Sequence, residues 1–293
     1  MELRLTADSF LVSNRHANDT NTLTLFQPDR TVKQLTNPQS PSNREELMKT
    51  EGGRIVDAAR ERNLNLRLLG AIAFQLHCPK YSYLTGKLRR ALSDVDFAAY
   101  GSERKQLDKM MRDFGYADEP MITAIFGSSR MIWDNKSTGM HVDIFFDKLQ
   151  MNHEINFDGR LELDTPTIPL ADMLLEKMQI VHINEKDVVD TIMLLREHQV
   201  GGHAPETIDS DYIAKLLSED WGFYYTVTTN LRNVEQALDK YPELTEADRA
   251  DVKAKVQLML QRLDKEPKSL GWRLRAKVGP KTKWYNEVEE VRR

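Results

Sequence analysis

Apolar and polar positions change rhythm twice along the chain. Residues 1 to about 43 show no sustained period and are rich in Asn, Thr, Ser and Pro. LTLFQPDRTVKQL has room for one or two short strands, and LTNPQSPSN (35–43) reads as a linker whose Ser42 or Asn43 can N-cap a helix. Leu47, Ile55 and Ala59 then recur at helical spacing over 43–61, with Gly52 and Gly53 weakening the middle. LRLLGAIAFQLH (66–77) starts as a compact apolar strand and turns into a helix at Gly70. In SDVDFAAYG (93–101), Asp94 and Asp96 alternate with Val95 and Phe97, the period of a strand with one polar and one apolar face. An amphipathic helix over 102–116 closes at Gly115. Strands are expected at 121–127, 129–133 and 140–147, the last two joined by the turn DNKSTG. After Pro166 and Pro169 the period becomes helical, with helices expected at 169–182, 185–198, about 209–240 and 245–266, and a break at Gly201-Gly202.

The expected organisation is therefore an N-terminal extension (1–43), an α/β (α+β) domain with a mixed sheet (44–165) and an α-helical domain ending in a basic, aromatic tail (166–293). Composition permits this: 40% hydrophobic and 29% charged residues over 293 positions suffice for a sizeable core. A net charge of -4 excludes a wholly basic nucleic-acid coat. No apolar run approaches a membrane span, and the first ten residues lack the basic start and apolar run of a signal peptide, so a cytoplasmic protein is expected. The single Cys78 builds neither a disulfide framework nor a cysteine zinc cage, and no histidines stand at ligand spacing.

The chemistry-bearing residues are carboxylates. Strand geometry points Asp94 and Asp96 to one face, about 6–7 Å apart along the chain. Carboxylates that close repel each other unless a cation lies between them. Asp143, in the apolar run HVDIFF, is a third, and a metal partner would offset the cost of burying it. Three convergent carboxylates suit two Mg²⁺ ions, with Mn²⁺ as the alternative ion. The competing reading makes all three ordinary exposed acids on the polar face of a sheet.

In their order along the chain, LLGAIAFQLH, SDVDFAAYG and HVDIFFD resemble the nucleotidyltransferase superfamily with the polymerase-beta-like fold. LLEKM, with Glu176 and Lys177, and NEKDVVD, with Lys186, Asp187 and Asp190, resemble the helical motifs of the abortive-infection (AbiEii-like) nucleotidyltransferase toxins, over about residues 60–200. The resemblance implies Mg²⁺-dependent transfer of a nucleoside monophosphate from an NTP to a hydroxyl of RNA, protein or a small molecule, and an antitoxin protein as partner. It implies Asp94, Asp96 and Asp143 as metal ligands and, with Lys177, as catalytic residues. Nucleotide contacts would come from Gly70, Ala71, Arg90, Ser93, Lys177, Asp187 and Asp190. The chain departs from the family in its Gly70-Ala71 turn (Gly-Gly or Gly-Ser in the family), in the 24 positions from Gly70 to Asp94, and in Asn184, where the family has arginine. These departures leave open a catalytically weak or inactive relative that binds a nucleotide or a partner.

On residues alone, Lys177 is either an ammonium for a triphosphate or an exposed lysine paired with a glutamate. Asp187 and Asp190 share a face and either orient Lys177, assist deprotonation of the acceptor, or decorate a solvated surface. Lys80, Lys87, Arg89 and Arg90 form an acid-free stretch that fits phosphate or a solvated loop; its Gly86-Lys87 lacks the rest of a P-loop. The tail 268–285 holds six Lys/Arg, no acid, and Trp272, Trp284 and Tyr285. It suits single-stranded RNA or an aromatic anchor for the C-terminus. Trp221, Phe223, Tyr224 and Tyr225 read as helical core rather than a ligand cage.

Overall fold

Residues with period-two alternation assemble into one five-stranded sheet in the computed structural model, which describes residues 41–87, 92, 94–120 and 127–288. The strands are β1 (Leu66–Leu69), β2 (Asp94–Ala99), β3 (Ala117–Asp118), β4 (Arg130–Asn135) and β5 (Met140–Phe146), in the order β1-β2-β5-β4-β3. The central β2–β5 pair is parallel and the other three pairs are antiparallel, so the sheet is mixed. The extension 1–40 and most of the strand expected at 121–127 lie outside the described residues.

One face of this sheet is a continuous apolar layer. Val95, Phe97 and Ala99 on β2, Val142, Ile144 and Phe146 on β5, and Met131 and Trp133 on β4 are all buried. Helix α1 (Pro41–Glu61) lies on that face and runs unbroken through Gly52 and Gly53. The sequence pattern makes those glycines a weak point, but Gly52 has a packing reason. A Cβ there would come within 3.0 Å of Leu68 Cδ2 and 3.3 Å of Val95 Cγ1, so its absence sets the approach of helix to sheet. Arg104 and Arg112 of α4 (Arg104–Asp113) cover Phe146 and Trp133 at 5.8 and 5.3 Å from the ring centres.

The opposite face carries Asp94, Asp96, Asp143 and Arg130. Helix α2 (Gly70–His77) leaves the end of β1 directly, and α3 (Tyr83–Lys87) comes after it. After two short strands, β6 (Lys148–Gln150) and β7 (Glu154–Asn156), the chain becomes helical. Here α5 (Leu170–Met178) is buried along its whole length, and α6 (Glu185–Glu197) packs against both α5 and α2. Beyond them stand α7 (Ser210–Leu217), α8 (Trp221–Ala237), α9 (Glu246–Lys265) and α10 (Leu270–Val278). The described residues fall in one compact unit. Among the described residues no helix is long and apolar enough to cross a membrane.

Capping chemistry explains where the helical reading needs correction. The run expected at 209–240 divides because Asp220 accepts the Phe223 N–H and starts a new helix, while Asp209 caps α7. Such caps contribute about 1 kcal/mol each. The break at Gly201-Gly202 holds a parallel pair, β8 (Gln199–Gly201) with β9 (Thr207–Asp209), and the tail contains a helix, capped by Ser269, that the pattern does not predict.

The two glycines of α1 provide a paired test by chemical denaturation. Gly52→Val should lower stability by about 1–3 kcal/mol through overpacking against Leu68 and Val95. Gly53→Ala, with no atom within 4 Å of the new Cβ, should raise it by up to about 1 kcal/mol through helix propensity. Equal effects at both positions would contradict the packing.

Candidate functional site: a carboxylate cluster at the β2–β5 edge

Register brings the three aspartates together. In the parallel pair Asp96 stands beside Asp143 and Asp94 beside His141, while Leu69 of β1 stands beside Asp96 on its other side. Each of Asp94, Asp96 and Asp143 offers a carboxylate oxygen, and these oxygens lie within 4.8 Å of one another. Asp143 is buried, at 1% exposure, and Asp94 and Asp96 are half-buried. The reading of three exposed acids on an ordinary polar face is therefore wrong for Asp143.

Gly70 makes the cluster sterically possible. Its φ is +70°, and a Cβ there would fall 2.6 Å from Asp96 Oδ2. Both facts require glycine, the first because L side chains rarely adopt that backbone and the second for want of room. The Gly70 N–H donates to Glu176 Oε2 at 3.1 Å, which ties the turn to α5. That amide, expected to face a phosphate at the helix start, is thus already engaged by a carboxylate.

Lys177 lies behind this contact rather than on the surface. It is 5% exposed, with Nζ 3.4 Å from Glu176, 3.5 Å from Asp187 and 3.2 Å from Asp190, and 5.0 Å from the centre of the Phe74 ring. Asp187 and Asp190 are likewise buried and lie against Lys177, which removes their reading as a solvated face. Asn184 caps α6 by accepting the Asp187 N–H at 3.1 Å. Where the motif that this stretch resembles has arginine, this chain uses a short amide to start a helix.

Arg130, which pattern reading does not single out, is a further charge at the cluster. It pairs with Phe145 in the β4–β5 register, two positions along from Ile132–Asp143, so its side chain shares the face of Asp143 and reaches it diagonally. Its guanidinium forms an ion pair with Asp143 and lies 4.8 Å from the centre of the Phe145 ring. Its signal is one of parity: Arg130 and Asp143 share a face only once the register is known.

The electrostatics arise from this crowding. Desolvation, then the charges of Asp94, Asp143 and Glu176, drive Asp96 well above the usual carboxylate range, and Arg130 offsets only part of this. Burial raises Glu176 too, against the pull of Lys177 and the Gly70 amide. The all-oxygen donor set fits a hard divalent cation such as Mg²⁺, which relieves the repulsion that raises Asp96.

Two other expected contributors, Arg90 and Ser93, lie outside the described residues, as do Arg89 and the Lys87 side chain. Ala71 comes after Gly70 in the first turn of α2 and is half-buried. Lys80 is exposed. The tail packs back on the body. Trp272 meets Tyr224 edge-on at 5.2 Å, Trp284 meets Tyr225 at 5.1 Å, and Trp284 Nε1 donates to Thr226 Oγ1 at 3.1 Å. Lys268 and Arg275 donate to backbone carbonyls. This is the geometry of an anchor. No family model, curated protein or solved structure matches the chain.

A raised pKa in the folded state means that the metal-free protein loses stability as pH climbs from the unfolded carboxylate range, about 4, through the Asp96 value. Without divalent ions, Asp96→Asn should therefore gain on the native chain as pH rises over that window, and Mg²⁺ should stabilise the native chain alone. Thermal midpoints across pH for both proteins check this; a gap independent of pH contradicts it.

Proposed function

We propose that the chain is a metal-dependent nucleotidyltransferase, with a polymerase-beta-like arrangement, that moves a nucleoside monophosphate from an NTP to a hydroxyl and releases pyrophosphate. The observation that carries this reading is the convergence of Asp94, Asp96 and Asp143 beside the Gly70 turn. Those three residues would hold Mg²⁺, or Mn²⁺. Bound there, the metal supplies charge neutralisation to the phosphates and to the attacking oxygen.

The residues of the chain do the positioning. Gly70 keeps the floor of the site open to Asp96. Glu176 fixes the Gly70 turn, and Lys177, locked by Asp187 and Asp190, holds Glu176 in place from behind. Asp143, with Arg130 alongside it, would help accept the proton of the acceptor hydroxyl. Catalysis of this kind rests on orientation and charge, without a covalent intermediate on the protein.

The second reading is a nucleotide- or partner-binding module of the same architecture. Arg130 favours it, because a guanidinium paired with Asp143 takes up part of the negative charge that a metal would otherwise use. The enclosure of Lys177 favours it too, since an ammonium held by three carboxylates is not poised for a triphosphate.

Incubation of the full chain with lysate, Mg²⁺ and each α-labelled NTP tests both. The transferase reading expects label from at least one nucleotide on RNA, protein or a small acceptor, and loss of at least about a hundredfold in Asp94→Asn and Asp96→Asn, as for removal of a group that acts on the transition state. Mg²⁺-dependent NTP binding without transfer would leave the module. No Mg²⁺-dependent NTP binding at all would end the transferase reading and the nucleotide-binding form of the module.

A further inference from the structure

A second constellation of ligating groups lies at the other end of α2 and α6. His77 is the last residue of α2, His198 is the C-cap of α6, and Glu206 sits in the connection between β8 and β9. His77 Nδ1 lies 3.9 Å from Glu206 Oε2, and His198 Nδ1 lies 3.4 Å from the same oxygen. The three ligand atoms fall within 4.8 Å of one another. Positions so far apart in the sequence have no ligand spacing, so the expectation of no histidine metal site, which rests on local spacing, does not bear on this arrangement.

Hydrogen bonds set the tautomer of each ring. Thr167 Oγ1 lies 3.0 Å from the Ile168 carbonyl and 2.6 Å from His77 Nε2; with its single proton given to the carbonyl it accepts from His77 Nε2. His198 Nε2 lies 3.1 Å from the His77 carbonyl, which can only accept. In that arrangement each imidazole in its neutral form carries its proton on Nε2 and turns an Nδ1 lone pair towards the Glu206 carboxylate. Three electron-pair donors facing one point repel each other unless a cation joins them. Orientation of a ligating histidine through a hydrogen bond from its other nitrogen is the usual supporting feature of metal sites.

We propose that His77, His198 and Glu206 bind a transition-metal dication of the zinc type. Two imidazoles and one carboxylate are a donor set that suits Zn²⁺ rather than Mg²⁺, with water completing a tetrahedron. Ligand atoms about 2.0–2.1 Å from a tetrahedral ion stand about 3.3 Å apart; the two separations to Glu206 are 3.4 and 3.9 Å and all three lie within 4.8 Å, so binding contracts the set. Glu206 is the adaptable member: its side chain is 72% exposed and its φ is +53°, in the left-handed region. With Arg160, Asp164 and His203 it also lines a cavity of about 250 Å³. The bound ion would clip the β8–β9 connection to the ends of two helices whose starts carry Gly70, Asp187 and Asp190. The site shares no ligand with the aspartate cluster, so it stands or falls independently of the transferase reading.

The test uses full-length protein carrying Asp94→Asn and Asp96→Asn, so that the aspartate cluster contributes little, stripped with EDTA and titrated with Zn²⁺ alone. One zinc per chain should bind and raise the thermal midpoint, and Co²⁺ in its place should give the visible absorption of a tetrahedral N/O site. Adding Glu206→Gln or His198→Ala should weaken zinc binding at least about tenfold, since loss of a ligand exceeds the 10–100-fold effect of losing a supporting partner. Glu206 is exposed, so its variant keeps the fold and the comparison remains valid if His198→Ala does not. Failure of the parent to take up zinc, or equal affinity in Glu206→Gln, would overturn the site and leave a histidine–glutamate ion pair held by a proton.

Discussion

A side chain of any size on Gly70 would collide with Asp96, and the fold is organised to prevent that. The left-handed backbone at Gly70 turns β1 straight into α2 within one residue, which brings the start of a helix against the carboxylate of the neighbouring strand. Asp96 is also flanked by Asp143 on the parallel strand, so three negative groups share the end of the sheet. Crowding like this costs free energy in the metal-free protein, which is the physical meaning of the upward shift at Asp96. The surrounding charges are arranged around the cost: Arg130 answers Asp143, and Lys177 sits among Glu176, Asp187 and Asp190.

The helices α2 and α6 extend that arrangement through the molecule. Each begins at the carboxylate end and finishes at the histidine end, α2 from Gly70 to His77 and α6 from the Asp187–Asp190 turn to the His198 cap. They pack on one another, and rigid elements in contact transmit a displacement of one end to the other.

The sheet and its aspartates are legible in the sequence because period two is a local property. Asp94-Val95-Asp96 assigns its own faces, and the apolar neighbours of Asp143 mark an inner strand. Arg130 is not legible, because its place beside Asp143 depends on the β4–β5 register rather than on its neighbours in sequence. His77, His198 and Glu206 are hidden for a stronger reason, since they meet only when α2 and α6 pack. The tail is ambiguous by composition, which suits RNA and an aromatic anchor alike. Its basic residues suit RNA, yet Lys268 and Arg275 donate to carbonyls and its tryptophans face Tyr224 and Tyr225. Gly52 looks like a weak point, and only the distance to Leu68 shows the helix–sheet contact it permits.

The central claim is that Asp94, Asp96 and Asp143 converge to hold a divalent cation, and anomalous scattering from crystals grown or soaked with Mn²⁺ tests it directly. The account predicts an anomalous peak at about 2.0–2.6 Å from oxygens of all three carboxylates, with Gly70 in its left-handed turn beside Asp96. Crystals in which manganese scatters elsewhere, with Arg130 still locked to Asp143 and no ion among the three aspartates, would contradict it.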